Sequence, residues 1–466
     1  MNHTQYTICA LSTAPGMGAI ALIRMSGSEA ISILEKISGK SYEQAQSHTA
    51  HFLRLRRPTG EVLDEVLVTI LRKGKSFTGE DTVEIACHGS VFIQQEIIHL
   101  LVDNGCSMAK PGEFTMRAFL NGKLDLSQAE AVSDLIAAES AKAHEIAMNQ
   151  MRGNFSSELI ELREKLIHFA SLVELELDFS EEDVEFADRT ELLQLVTDVL
   201  TYLNRLIASF ELGNVLKKGV PVALIGAPNT GKSTLLNQLV GEDRALVSNI
   251  AGTTRDVIEE TLNIGGVIFR LIDTAGIREN AAEEIEAMGI QRSLEKIKQA
   301  KIVLLLSDNS NQASLDEGHH SMSSDEALEW AGKLVEEYPQ KHFLVLGNKS
   351  DLRSSSSTTS YSIPFLAISA KTGTGISELK KWLSEQVMGN FNSQTDTIVS
   401  NARHLEALQK SVDALEKAKS GLLDGTTGDF IAMDIRQAMH WLGSITAQIS
   451  EDDLLANIFS KFCIGK

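Results

Sequence analysis

At 466 residues, with 43% hydrophobic and 23% charged side chains, the chain is too long for one hydrophobic core and has an ordinary globular composition. Sixty-three acidic residues against 43 basic ones give a net charge of −20, which favours solubility and argues against a broad, non-specific nucleic-acid surface. The four cysteines (Cys9, Cys87, Cys106, Cys463) form no C-x-x-C pair, no apolar run reaches transmembrane length, and the start lacks a basic leader, so a cytoplasmic protein without zinc, disulfides or membrane is expected.

Residues 1–120 read as mixed α/β. Short strands are expected over 8–11 and 19–25 around the turn Ala14-Pro15-Gly16, with further strands over 61–71 and 81–86. A helix follows over 91–104, closed by Gly105. Arg54, Arg56 and Arg57 read as a solvated strand end rather than an RNA site. From Asp125 the texture becomes helical. Ser127-Gln128-Ala129-Glu130 reads as a capping box opening one long helix through Ala147. Leu159, Leu162, Leu166, Phe169 and Val173 then form a stripe at helical spacing, and Thr190 is the expected cap of a helix over 191–210. The texture returns after residue 390 with Leu405, Leu408, Val412 and Leu415, followed by a helical segment over 430–449.

Between these helical stretches, strand-like and helix-like runs alternate, the pattern of a doubly wound sheet. A hairpin over 257–272, turning at Gly265-Gly266, supplies an antiparallel edge. The expected organisation is four segments. Residues 1–120 form an α/β domain, 121–217 and 389–466 are two parts of a helical domain, and 218–388 is a nucleotide-binding domain inserted between them.

The insert opens with an apolar run over 220–225, then Gly226-Ala227-Pro228-Asn229-Thr230-Gly231-Lys232-Ser233, then Thr234-Leu235-Leu236. This is G-x-x-x-x-G-K-[ST] between a strand and a helix, where loop N–H groups and the helix dipole face phosphate. Lys232 adds a point charge to the phosphates and the Ser233 hydroxyl can ligate Mg²⁺. Asp273-Thr274-Ala275-Gly276 ends the hairpin, placing an Asp for the Mg²⁺ water shell and a glycine N–H for the γ-phosphate. Asn348-Lys349-Ser350-Asp351 follows another strand, and the Asp351 carboxylate suits the paired N1–H and N2–H₂ donors of guanine, which adenine lacks. Ser369-Ala370-Lys371 would supply a backbone N–H to the guanine oxygen. The implied nucleotide is GTP. Directly after D-x-x-G stands Ile277, which cannot hold a water, so a carboxylate from Glu283, Glu284 and Glu286 would have to do so. By composition alone that acidic stretch reads as a solvated helix start.

Further stretches carry a resemblance that spans essentially the whole chain. They are Ser76-Phe77-Thr78-Gly79-Glu80-Asp81, Pro111-Gly112-Glu113-Phe114, Arg117-Ala118-Phe119-Leu120-Asn121-Gly122-Lys123-Leu124-Asp125-Leu126, Gly252-Thr253-Thr254-Arg255-Asp256 and Phe462-Cys463-Ile464-Gly465-Lys466. With the nucleotide motifs, they make the chain resemble the bacterial tRNA modification GTPases called TrmE or MnmE. The resemblance implies a homodimer whose N-terminal domains bind 5-formyl- or 5,10-methylene-tetrahydrofolate through Arg24, Glu84, Lys123 and Lys466. It implies a K⁺ ion held by Asn229, Thr253 and backbone oxygens near Ser248 and Ile250, with Thr254 joining Ser233 on Mg²⁺. Ser248, Asn249, Ile250, Ala251, Gly252, Thr253 and Thr254 join Asn229 through Thr234 around GTP. Glu286 matches the family's water-activating glutamate; one extra residue after Gly276 leaves Glu284 as the rival. Cys463 is implied as a second catalytic residue on a tail reaching the folate site. The implied reaction is K⁺-dependent GTP hydrolysis coupled to adding a carboxymethylaminomethyl group at C5 of wobble uridine (U34) in certain tRNAs. It would run in a heterotetramer with an FAD-dependent partner of the MnmG/GidA type. The alternative is a regulatory ribosome-assembly GTPase without one-carbon chemistry.

Overall fold

The computed structural model describes residues 6–178, 189–243, 260–272, 294–310, 323–352, 363–389, 397–446, 455, 458–460 and 462–465. The chain divides into two compact units. One comprises Met1–Ala137, Ala147–Asn204 and Glu406–Lys466, the other Ala138–Ile146 and Arg205–Leu405.

In the first unit, β1 (Ile8–Leu11), β2 (Ile20–Ser26), α1 (Ala30–Ser38), β3 (Thr49–Arg56), β4 (Val62–Leu71), β5 (Thr82–His88), α2 (Val91–Asp103), β6 (Ser107–Met108) and α3 (Glu113–Leu120) succeed one another. The strands form a sheet in the order β3-β4-β5-β2-β1-β6. Alternation decides which face is covered: on β4, Asp64, Val66, Val68 and Ile70 are buried while Val62, Glu65 and Leu67 are exposed. The buried parity joins Ile23, Met25, Val83 and Ile85 to Ile33 and Leu34 of α1 and Ile97 and Leu101 of α2 in one core. The other face sets Phe52 opposite Leu67, exposed at 62% and 49%, and Arg24 opposite Glu84. Neither α1 nor α3 was among the expected elements. Both begin without a side-chain cap, the signal by which a helix start is read. Arg54 and Arg56 do stand on a strand; Arg54 pairs with Glu65 at 2.7 Å and Arg57 with Glu96 at 2.9 Å.

The helical segment corrects three expectations. The cap of α4 (Leu126–Ile136) is Asp125, whose carboxylate accepts from Gln128 N while the Gln128 side chain accepts from Asp125 N; Ser127 lies inside the helix. The helix does not continue through Ala147. It stops at Ala137, and Ser140 recaps the chain by accepting from Ala143 N at 3.1 Å, starting α5 (Ala141–Met151). Gly153, at φ 84°, then turns the chain into α6 (Asn154–Asp178), which buries Leu159, Leu166 and Val173 of the expected stripe. Helix α7 (Arg189–Lys218) is longer than expected and contains Thr190 within it.

The second unit holds β7 (Val220–Gly226), α8 (Lys232–Asp243), β8 (Glu260–Ile264), β9 (Val267–Leu271), β10 (Ile302–Asp308), α9 (Ser324–Glu337), β11 (His342–Asn348), β12 (Phe365–Ala367) and α10 (Ile376–Met388). Its sheet runs β12-β11-β10-β7-β9-β8, parallel except for the antiparallel edge strand β8. Ile302, Leu304 and Leu306 of β10 pack with Leu235 and Leu239 of α8 and Leu379 of α10. Val303 and Leu305 pack with Ala327, Ala331 and Leu334 of α9. Helices thus cover both faces, which is why residues 302–306 of β10 are a continuous apolar run rather than alternating. Chain order reverses between β7 and β10, so a crevice for ligand opens at their carboxyl ends.

Two further helices, α11 (Ala402–Asp424) and α12 (Gly428–Thr446), return to the helical segment. Ser411 donates to Ala438 O at 2.9 Å between them, and α12 lies along α6, where Arg163 Nε donates to Met439 O at 3.4 Å. Among the described residues no helix is long and apolar enough to cross a membrane.

Candidate functional site

The loop between β7 and α8 lies at that reversal point. Two of its glycines are required by neighbours. A Cβ at Gly226 would stand 2.4 Å from Leu306 O, and one at Gly231, where φ is 94°, would stand 2.3 Å from Asn348 Nδ2. Thr230 is fully buried and donates to Ala227 O at 2.8 Å, while Asn229 takes a left-handed backbone with φ 62°. Lys232 Nζ donates to Gly226 O and Ala227 O, each at 2.7 Å, so its ammonium is held within the loop. Burial, and then Lys296, push its pKa below the usual lysine value. A desolvated cation beside loop N–H groups at a helix start is an anion site.

The segments following β11 and β12 join that loop. Asn348 is buried at the end of β11; its Nδ2 donates to Thr230 O at 2.7 Å and its Oδ1 accepts from Ala370 N at 2.9 Å. One amide therefore ties together three stretches that lie far apart in sequence. Of the Ser369-Ala370-Lys371 stretch expected to offer a backbone N–H to the base, the Ala370 N–H is engaged by this amide. Ser369 donates to Asp351 Oδ1 at 2.7 Å, which fixes the orientation of the carboxylate read as the base selector. Lys349 donates to Asp308 Oδ2 at 2.6 Å. Asp308 was not singled out from the sequence, because its role depends on β10 lying beside β11. Ser248, Asn249, Ile250, Ala251, Gly252, Thr253, Thr254, Asp273, Thr274, Ala275, Gly276, Glu286 and Lys466 lie outside the described residues.

A second polar site occupies the first unit. Arg24 Nε and Nη2 donate to Glu84 Oε1 at 2.9 and 2.7 Å across β2 and β5. The Arg24 guanidinium lies 5.7 Å from the Phe114 ring centre and 6.0 Å from that of Phe77. Lys123 Nζ donates to Gly74 O at 3.0 Å, on the turn that carries Phe77, and Asn121 Nδ2 donates to Thr78 O at 2.7 Å. Beneath lies Arg117, fully buried, paired with Glu80 at 3.1 Å and Glu113 at 3.0 Å. The tail reaches this part of the unit: Cys463 O accepts from Gly112 N at 3.3 Å, and Gly465 O accepts from Ser12 Oγ at 3.2 Å. Cys463 carries an exposed free thiol. Phe77, Phe114 and Arg117 stand within motifs that give them no role in the sequence; their packing on Arg24 and Glu80 becomes visible only in the fold.

A mostly parallel sheet with a G-x-x-x-x-G-K-S loop at its reversal point defines a phosphate-loop, nucleotide-binding α/β protein. The family comparisons are more particular. The model described as the MnmE helical domain matches residues 126–463, and that of the GTP-binding protein TrmE N-terminus matches residues 7–123. The chain belongs to the MnmE (TrmE) family, the one its motifs resemble. It is 50% identical over 467 residues to the tRNA modification GTPase MnmE of Flavobacterium psychrophilum, covering 99% of each chain. It is 51% identical over 468 residues to that of Cytophaga hutchinsonii, covering 100% of this chain and 98% of the relative. With that of Bacteroides thetaiotaomicron it shares 48% over 477 residues, covering 99% and 100%.

Proposed function

We propose that this chain is a GTP hydrolase acting in tRNA modification, as the names of its relatives say of them. The observation that carries the nucleotide half is the Asn348 amide, which binds the phosphate loop through Thr230 and the Ala370 segment in one stroke. In this reading the 218–388 segment is an inserted GTPase domain. Loop N–H groups from Asn229 to Thr234, with Lys232, neutralise the phosphates. Asp351, held by Ser369, reads the guanine edge, and Lys371 N–H is left to face the guanine oxygen. Ser233 and Thr254 suit Mg²⁺, which supplies charge to the β- and γ-phosphates. The exposed, left-handed Asn229 offers a neutral oxygen beside the loop, which suits K⁺ together with Thr253 and the backbone at Ser248 and Ile250. Glu286 orients the water that attacks the γ-phosphorus.

The Arg24–Glu84 pair between Phe77 and Phe114 fits a flat heterocycle bearing an amidine-like edge and an anionic tail, the chemistry of a tetrahydrofolate. Lys123 and Lys466 would hold the tail, and Cys463 would act on the one-carbon chemistry. The exposed Phe52–Leu67 row supports a homodimer through the N-terminal sheet. An FAD-dependent partner would complete the carboxymethylaminomethyl modification of U34 in the cytoplasm. The experiment is nucleoside analysis of tRNA from a strain lacking this protein, with GTP turnover measured on the purified chain. Loss of a C5-modified wobble uridine, restored by the intact gene and not by Lys232→Ala, is expected. Unaltered tRNA nucleosides would overturn the reading.

A further inference from the structure

Asp308 closes β10 at the carboxyl edge of the parallel strands, beside Asn348 of β11, and is 7% exposed. It belongs to none of the nucleotide motifs. Its Oδ2 accepts from Lys349 Nζ at 2.6 Å, and its Oδ1 accepts from Ser310 N at 2.9 Å and Ser310 Oγ at 2.7 Å. Burial alone would raise the carboxyl's pKa, yet the Lys349 ammonium and the Ser310 donors hold it below the usual carboxylate value. Lys349 itself has φ 63°, a left-handed conformation uncommon outside glycine.

Because β10 lies between β11 and β7, the Lys349 side chain runs from the end of β11 back over the end of β10, toward the strand that carries the phosphate loop. It therefore crosses the edge at which open α/β sheets receive their ligands. With its ammonium tied down, its methylene stem is presented as apolar surface. Untied, a compact and strongly hydrated charge on a flexible stem would be drawn to phosphate oxygens.

We propose that Asp308 is a positioning residue for the nucleotide base: it pins the Lys349 ammonium so that the stem forms a fixed wall against the purine face, while Asp351 reads the purine edge. The role rests on the reading of this crevice as a guanine-nucleotide site. It acts through Lys349, so it concerns affinity that depends on the base and not affinity that depends on phosphate.

The test uses the full chain and a fluorescent GDP, displaced by GDP and separately by inorganic pyrophosphate, for Asp308→Asn, Lys349→Met and the double variant. Asp308→Asn should weaken GDP about tenfold, the scale of one charge-assisted hydrogen bond, with pyrophosphate displacement changed less than about twofold. The KM for GTP should rise by a similar factor with kcat moving less than about twofold. Lys349→Met, which leaves Asp308 its Ser310 donors, should show the same selective loss even if Asp308→Asn folds poorly. In the Lys349→Met background, Asp308→Asn should add less than about twofold. The role is overturned by unchanged GDP affinity in Asp308→Asn, by equal losses of GDP and pyrophosphate, or by an undiminished effect in the Lys349→Met background. A wild-type chain that binds pyrophosphate but not GDP would overturn the guanine reading along with it.

Discussion

Single residues here act through what they leave no room for. At Gly231 a methyl group would meet the Asn348 amide at 2.3 Å, and the backbone already sits at φ 94°. Gly231→Ala should therefore separate Asn348 from Thr230 and strain the loop at once. Nucleotide binding should fall by about a hundredfold, the combined cost of the conformation and a buried hydrogen bond, as read by titration with fluorescent GDP. Asp351 makes a more selective prediction. Ser369 orients its carboxylate, so Asp351→Asn should keep its place while turning an acceptor toward guanine into a donor. Preference should move from guanosine to xanthosine triphosphate in a competition assay; retained preference for GTP would remove Asp351 from the selector role. Gly231 was legible from the motif, whereas the atom that makes it necessary belongs to a residue more than a hundred positions away.

At the level of elements, α3 is held to the sheet by a buried cation. Arg117 donates to Glu80 from one nitrogen and to Glu113 from another, with the Tyr6 carbonyl at 3.0 Å, and no part of it reaches solvent. Arg117→Met would leave Glu80 and Glu113 without their counter-charge, and the loss should be about 3–5 kcal/mol. Urea unfolding of the chain, followed by the exposure of the buried cysteines of this unit, would measure it. A charge effect of the other sign stands at the start of β11. Burial, and then Lys301, hold the His342 imidazole below its ordinary value of 6.5. The folded state therefore refuses a proton that the unfolded chain accepts. Its contribution to stability is complete above pH 6.5 and is lost as pH falls through the lower folded value. His342→Gln should flatten the melting temperature of the second unit across that window; an unchanged slope would assign the pH dependence elsewhere.

For the whole molecule, the proposed chemistry divides between the two units. The 462–465 tail packs with Gly112 and Ser12 in the first unit, away in sequence from the nucleotide motifs. Removal of residues 463–466 should thus abolish tRNA modification while GTP turnover changes less than about threefold, since the phosphate loop keeps all its contacts. Equal loss of both would make the tail structural. The monovalent cation gives the remaining test. An arginine finger contributes roughly 10³–10⁵ in rate at such a transition state, and two arginines near the motifs in sequence, Arg255 after Thr254 and Arg278 after Ile277, are internal rivals for that role. Neutral oxygens from Asn229 and Thr253 suit a large cation with a loose shell, so hydrolysis should be fast in K⁺ and slow in Na⁺ at equal ionic strength. Asn229→Ala should lose that difference. Equal rates in both salts, or a collapse on Arg255→Ala alone, would replace the cation with an arginine.

The sequence by itself determined the local elements whose signals are local. The strand–loop–helix at 220–243, the hairpin turning at Gly265-Gly266 and the helical stripe on α6 all depend on short-range periodicity, glycine conformation and helix dipoles, which neighbours in the chain decide. The order of the nucleotide motifs, and with it the family, was legible for the same reason. Tertiary structure alone decided what crosses between elements. The break in the expected long helix was, by contrast, local: Ser140 caps Ala143 N three residues on and opens a second helix there. Uncapped α1 and α3 form because packing, not a terminal signal, stabilises them. The partnerships of Asp308 with Lys349, Arg117 with Glu80 and Asn348 with Thr230 had no local trace. Each joins residues that only strand order and sheet register bring within hydrogen-bond distance, and no period along the chain encodes that order.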